Sequence, residues 1–195
     1  MKVGGLVQLC SLADLPLDPL AGAPSSSGAV EDIAFIIIDD SDAPPDDTDV
    51  RYSAPATRSN GAESGDASSS RVLRVRLPLG KRGQHVFLYE VLPCVTPFAS
   101  THLSLGRAIC VAGGDAGVGV ALVLLQLFFD DAGKPLLRSE RGDTVVSKNS
   151  VRTRLEWIIA SRPQTNPSRV ILKRVNDFLL SPRSRCREAN VGAAV

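Results

Sequence analysis

Hydrophobic and polar positions alternate sharply just after the first third of the chain. Leu73, Val75, Leu77 and Leu79 are separated by Arg74 and Arg76, the period-two signature of a strand with one buried and one wet face. Gly80-Lys81-Arg82-Gly83 reads as a turn, and residues 85–92 as the strand returning from it. A short strand is expected at 107–112, followed by a second turn, Gly113-Gly114-Asp115-Ala116-Gly117. The apolar run 118–129 then reads as a long buried strand, and Asp130-Asp131-Ala132-Gly133-Lys134-Pro135 as a third turn. Residues 144–147 and 153–160 complete the strands. In the last of these, Val151, Leu155, Ile158 and Ile159 would also suit a helix, but Trp157 beside two isoleucines favours a strand.

A helical period emerges near the C-terminus. Asn166 is a suitable N-cap and Pro167 fits a first helical position, where its missing N–H costs nothing. Ile171, Val175, Phe178 and Leu179 form an apolar stripe, with Arg169, Lys173 and Arg174 turned away from it. Pro182 ends the helix, and a basic tail follows. The expected fold is therefore β-rich α+β: a single compact antiparallel β domain at 71–182 with a C-terminal helix, then a loose basic tail at 183–195.

Before residue 71 the pattern is different. Ser, Ala, Pro, Gly and Asp dominate residues 21–70, too little apolar surface to offset the entropy of ordering, so residues 1–70 are expected to be a mostly disordered acidic segment. One island interrupts it: Ile33-Ala34-Phe35-Ile36-Ile37-Ile38, followed at once by Asp39-Asp40-Ser41-Asp42.

Charge makes the division sharper. The net value of +1 over 195 residues conceals twelve acids against three bases up to Ser70, and nineteen bases against nine acids from Arg71 onward. Such polarity points to an acidic tail and a body that meets nucleic acid or an anionic membrane. Arg71, Arg74 and Arg76 are expected to share a strand face, Lys81 and Arg82 to extend it at the turn, and Arg169, Lys173 and Arg174 to line one helix face. These are the candidate lipid- or RNA-binding residues, through phosphate contacts that weaken with salt. Charged strand and helix faces also serve solubility alone. With 5% aromatic residues to stack on bases, any nucleic-acid binding should be indifferent to sequence.

Catalytic and metal constellations are missing from the sequence. The two histidines, His85 and His102, have no triad or zinc context, and Cys10, Cys94, Cys110 and Cys186 are scattered without a CxxC, as for reduced thiols. The glycine turn at 113–117 lacks the Lys and Ser/Thr of a phosphate loop and is expected to precede a strand. No cofactor, metal or small-molecule substrate is implied, and the expected protein is not an enzyme. The longest apolar run is too short to span a bilayer, and Asp14 and Asp18 argue against a signal peptide. An intracellular protein, cytoplasmic or nuclear and peripheral at the membrane at most, is the expectation.

The island carries a sharper reading. Ile36, Ile37, Ile38, Asp39, Asp40 and Ser41 resemble a SUMO-interacting motif, in which β-branched residues add a strand to a partner's sheet edge and the acids meet lysines. The alternative is that residues 33–38 dock on this protein's own domain or on a second copy.

From Leu73 to Asp130 the order of elements resembles the small matrix proteins of non-segmented negative-strand RNA viruses, of the bornavirus and rhabdovirus types. The pieces are the strand-turn-strand opening, a proline-bearing loop, the glycine turn, and the long apolar strand ending in Asp130-Asp131. The resemblance implies a virion protein that forms homo-oligomers and binds anionic membrane and nucleocapsid RNA or nucleoprotein. Pro44-Pro45 lacks the Tyr of a PPxY budding motif, which puts recruitment of budding machinery in doubt. Two other readings stand beside it: an all-β plant-virus movement protein that binds single-stranded nucleic acid, and a nuclear adaptor that binds SUMO through residues 36–42.

Overall fold

The computed structural model describes residues 7–10, 33–39, 71–136 and 146–181. Its centre is a four-stranded sheet in the order β1-β4-β2-β3, with β1 Val7–Cys10, β2 Ile33–Asp39, β3 Val72–Arg76 and β4 Ala108–Ala112. Every pairing is parallel, β4 between β1 and β2, and β2 between β4 and β3. The expected antiparallel β domain is thus corrected to a parallel α/β arrangement. The sheet draws two of its four strands from before Arg71, and β2 is the apolar island.

Parallel strands need crossovers, and the one from β3 to β4, which lies wholly within the described residues, is helical. Residues expected as turn and returning strand are helical: α1 spans Gly80–Val86, a π-helical segment spans Phe87–Val91, and α2 spans Leu92–Ser104. Pro93 at the start of α2 cannot donate the regular i→i−4 bond, and the wider π turn lies just ahead of it. The 118–129 run is α3, Asp115–Phe128, and residues 153–160 belong to α4, Lys148–Ser161. Residues 137–145, with the start of the expected 144–147 strand, lie outside the described residues.

Burial explains why α3 looked like a strand. Of its fourteen residues, all but Asp115 and Leu127 are buried, because β1, β4, α2, α4 and α5 surround it. A helix enclosed on every side shows no polar face and no 3.6-residue period. The C-terminal helix α5, Arg169–Leu180, packs on α3 through Ile171, Val175 and Leu179, as its stripe predicts. Its N-cap is Ser168, whose side chain accepts the Ile171 N–H, two residues beyond the expected Asn166.

One face of the sheet enters the main core: Ala34, Ile36 and Ile38 of β2, Leu73 and Val75 of β3, Ile109 and Val111 of β4. Gly119 allows α3 and α5 to approach, since a Cβ there would lie 2.6 Å from Ile171 Cγ2 and 2.9 Å from Phe87 Cζ. The loop after α3 is held from within. Asp130 Oδ1 accepts the N–H groups of Ala132 and Lys134, and Phe129 bridges to Pro135.

Candidate functional site

In open parallel sheets, ligands gather where the strands end and helices begin. Here β4 carries Cys110 and ends at Ala112, and Gly113-Gly114 leads into α3 at Asp115. Gly113 is required by contact: a Cβ there would sit 3.1 Å from both Cβ and the carbonyl oxygen of Ile38 at the end of β2. Cys110 is buried at 7% exposure and is in no disulfide. The expectation that this glycine turn joins two strands is therefore corrected, because it opens a helix.

The electrostatics of that turn are decided by Asp115. Its Oδ1 accepts the backbone N–H of Ser168 at 2.6 Å, so the carboxylate lies at the start of α3 and touches the N-cap of α5. A helix N-terminus attracts anions. The anion at this one is supplied by the protein. The chain from 108 to 133 holds no Lys or Arg, and the base next in sequence to this contact is Arg169, which follows Ser168.

A second feature lies on the far side of α5. Lys148, the first residue of α4, faces Arg169, Leu172, Lys173 and Asn176 across a groove of about 620 Å³. Positions 169, 172, 173 and 176 follow the helical i, i+3, i+4, i+7 spacing, which puts them on one face of α5, away from Ile171 and Val175. Among the described residues, Lys148, Arg169 and Lys173 form no ion pair. The acid at the rim, Asp177, is engaged by Arg174 Nη1 at 3.2 Å. Arg174 also reaches Gln84 Oε1 at 3.4 Å, tying α5 to α1.

The sequence candidates separate accordingly. Arg169 and Lys173 line the groove and are joined there by Lys148, which sequence reasoning missed because α4 was read as a strand. Ser147 and Ser150 cap one another's backbone N–H groups at 3.1 Å and mark the start of α4. A serine pair is a weaker signature than Ser followed by Glu. Arg174 faces α1. Lys81 and Arg82 are exposed on α1. Arg71 precedes β3, while Arg74 and Arg76 alternate with Leu73 and Val75 and so project from the sheet face opposite the helical layer. The bases do not form one surface.

Ile36 and Ile38 are fully buried and Ile37 is 6% exposed. Their strand is hydrogen-bonded on both sides, and Asp39 lies beside Arg76 in register. Asp40 and Ser41 lie outside the described residues. His102 is buried at the end of α2, where Nδ1 accepts from Arg107 Nη1 at 3.1 Å. Exposed His85 stacks with Tyr89, their ring centroids 4.5 Å apart. Among the described residues no cluster of His, Cys, Asp or Glu could hold a metal, and no helix is long and apolar enough to cross a membrane.

The family model for the Rit1 DUSP-like domain matches residues 71–179, more than half of the chain. The chain belongs to this family. That match overturns the resemblance to viral matrix proteins, together with the movement-protein and SUMO-adaptor readings, and points to a protein related to a tRNA-modifying enzyme. No curated protein and no solved structure matches the chain. The matched stretch runs from β3 to α5, so it takes in both the β4–α3 turn and the α5 side of the groove.

Phosphoryl chemistry sets demands that this turn can be measured against. Transfer from a phosphate ester needs positive charge or preorganised donors around the equatorial oxygens. A cysteine nucleophile also needs cationic surroundings to hold it as thiolate. In the Rit1 DUSP-like domain described here, buried Cys110 is followed by glycines and a carboxylate, with no base in the turn.

Proposed function

We propose that this chain works in tRNA modification of the Rit1 type as a domain that holds tRNA, and that its own β4–α3 turn performs no phosphoryl chemistry. The observation that carries this is Asp115, whose carboxylate occupies the start of α3 and is held there by the Ser168 N–H. A phosphate dianion arriving at the same place would meet like charge instead of a cation. The family supports the substrate class, since its model belongs to initiator-tRNA phosphoribosyltransferases. The excess of bases after residue 71 supports contact with a polyanion.

The test uses the full chain. Binding of initiator tRNA is measured by fluorescence anisotropy from 50 to 300 mM salt, and hydrolysis of p-nitrophenyl phosphate is followed in parallel. Salt-sensitive binding without hydrolysis is expected. Hydrolysis that disappears in Cys110→Ser would overturn the non-catalytic reading of the turn, and absence of tRNA binding at low salt would overturn the holding role.

A further inference from the structure

We propose that the groove between the start of α4 and the outer face of α5 is the site where this chain takes the ribose-phosphate backbone of RNA. The proposal rests on the tRNA-holding reading above and says where and how that holding occurs.

Three observations lead there. The first is charge without compensation. Lys148, Arg169 and Lys173 are exposed, line one groove, and have no acidic partner among the described residues. Three other bases are engaged by acids, Arg152 by Glu156, Arg154 by Asp131 and Arg174 by Asp177, and what sets Lys148, Arg169 and Lys173 apart is that they line one groove. Cations gathered around one concavity attract a chain of phosphates.

The second is the unmet acceptor. Asn176 lines the same groove, and its Oδ1 is shut off from solvent with no hydrogen-bond donor. A side-chain amide oxygen without a donor is a standing demand for one. A half-turn of the amide about its last torsion would exchange Oδ1 with Nδ2, and an oxygen brought to the groove in this way could accept from a ribose 2′-hydroxyl. That hydroxyl is the group by which a protein distinguishes RNA from DNA.

The third is fit. The fourteen-residue helix α4 begins at the groove, with its first residue, Lys148, in the lining. Its dipole adds positive potential where a phosphate would lie. The groove is open and shallow, a shape that suits an extended backbone laid across it. Asp177 at the rim is held by Arg174 and so presents a compensated charge to an incoming backbone. A lipid surface would use the same cations, and the vesicle arm of the experiment separates it from RNA.

The experiment compares the full chain with Lys148→Gln, Arg169→Gln, Lys173→Gln, the triple variant and Asn176→Ala. Each is titrated against labelled tRNA, a DNA oligonucleotide of matching stem-loop sequence, and phosphatidylcholine vesicles with and without phosphatidylserine. The triple variant is expected to lose at least about tenfold in tRNA affinity and to lower the salt slope by about 2. Arg71→Gln with Arg74→Gln, just before β3 and on it, should change tRNA affinity less than about threefold. Asn176→Ala should bring tRNA affinity down toward that for DNA while DNA affinity stays constant, a result that general misfolding does not produce. If tRNA binds the wild type and the groove variants bind equally well, the groove assignment fails while the tRNA-holding role survives. If no variant or wild type binds tRNA, the holding role itself fails. Binding to phosphatidylserine vesicles stronger than to tRNA, and lost in the triple variant, overturns the RNA assignment in favour of lipid.

Discussion

Arg154 and Asp131 meet at 2.7 Å, the guanidinium 1% exposed and the carboxylate 89% exposed. The arginine occupies a core position of α4 between Val151 and Ile158, donates from Nη2 to the Phe129 carbonyl at 3.1 Å, and lies 4.6 Å from the Trp157 ring centroid. It therefore pins the loop after α3 to α4. The two ends of the pair should not be equivalent. Arg154→Ala removes the packing of a long side chain, the loop bond and the ring contact together, and should cost about 3 kcal/mol. Asp131→Ala leaves water free to reach Nη1 where the exposed carboxylate stood, and should cost under about 1 kcal/mol. Urea denaturation of both variants checks this, and equal costs would refute it.

Gly119 makes a prediction of opposite sign to helix propensity. Alanine in a helix interior is worth about 1 kcal/mol over glycine. Here the new methyl would meet Ile171 Cγ2 at 2.6 Å, Phe87 Cζ at 2.9 Å and Val175 Cγ2 at 3.4 Å. The isoleucine is β-branched and stiff, Phe87 is fully buried, and overpacking of this kind costs about 1–3 kcal/mol. Gly119→Ala should destabilise by about 1 kcal/mol net. A higher melting temperature for the variant would show that α5 can step aside.

What the sequence disclosed follows from how each element is buried. β3 has one wet face, so Arg74 and Arg76 alternate with Leu73 and Val75 and the strand is legible. α5 has one wet face too, and its stripe of Ile171, Val175 and Leu179 is legible for the same reason. α3 has none, so a run of valines and leucines gives strand and helix equal claim. In α4 the charged Arg154 takes a core position and breaks the apolar period that would have announced a helix. One misreading then produced another. With α3 taken as a strand, the glycine turn became a hairpin, and the strand-turn-helix unit that carries Cys110 and Asp115 was not visible. The groove is hidden likewise: Arg169 and Lys173 can be read off the α5 pattern, but Lys148 joins them only because α4 begins beside them.

Asp115 should reveal its role through two substitutions. The carboxylate both accepts the Ser168 N–H and places negative charge at the start of α3. Asp115→Asn keeps an acceptor and loses the charge, which should cost about 0.5 kcal/mol. Asp115→Ala loses both and leaves the Ser168 N–H to water, which should cost about 1–2 kcal/mol. Chemical denaturation at neutral pH measures the two. Identical costs would mean that the hydrogen bond between the helix starts contributes nothing.

Cys94 predicts a pH dependence. It is half-buried on α2, and desolvation raises its thiol above the ordinary value by penalising the thiolate. A group whose folded-state value is raised contributes stability that is complete below the unfolded value, about 8.5 for a thiol, and lost as pH rises through the folded-state value. Wild type and Cys94→Ala are therefore compared under reducing conditions by urea denaturation between pH 7 and pH 10. The wild type should lose stability relative to the variant only above about pH 8.5, where an unfolded chain begins to release the proton that the folded chain retains. Alkylation of Cys94 by iodoacetamide should lag behind that of a free model thiol over the same range. A stability difference that stays constant from pH 7 to pH 10 would show that burial does not hold this proton.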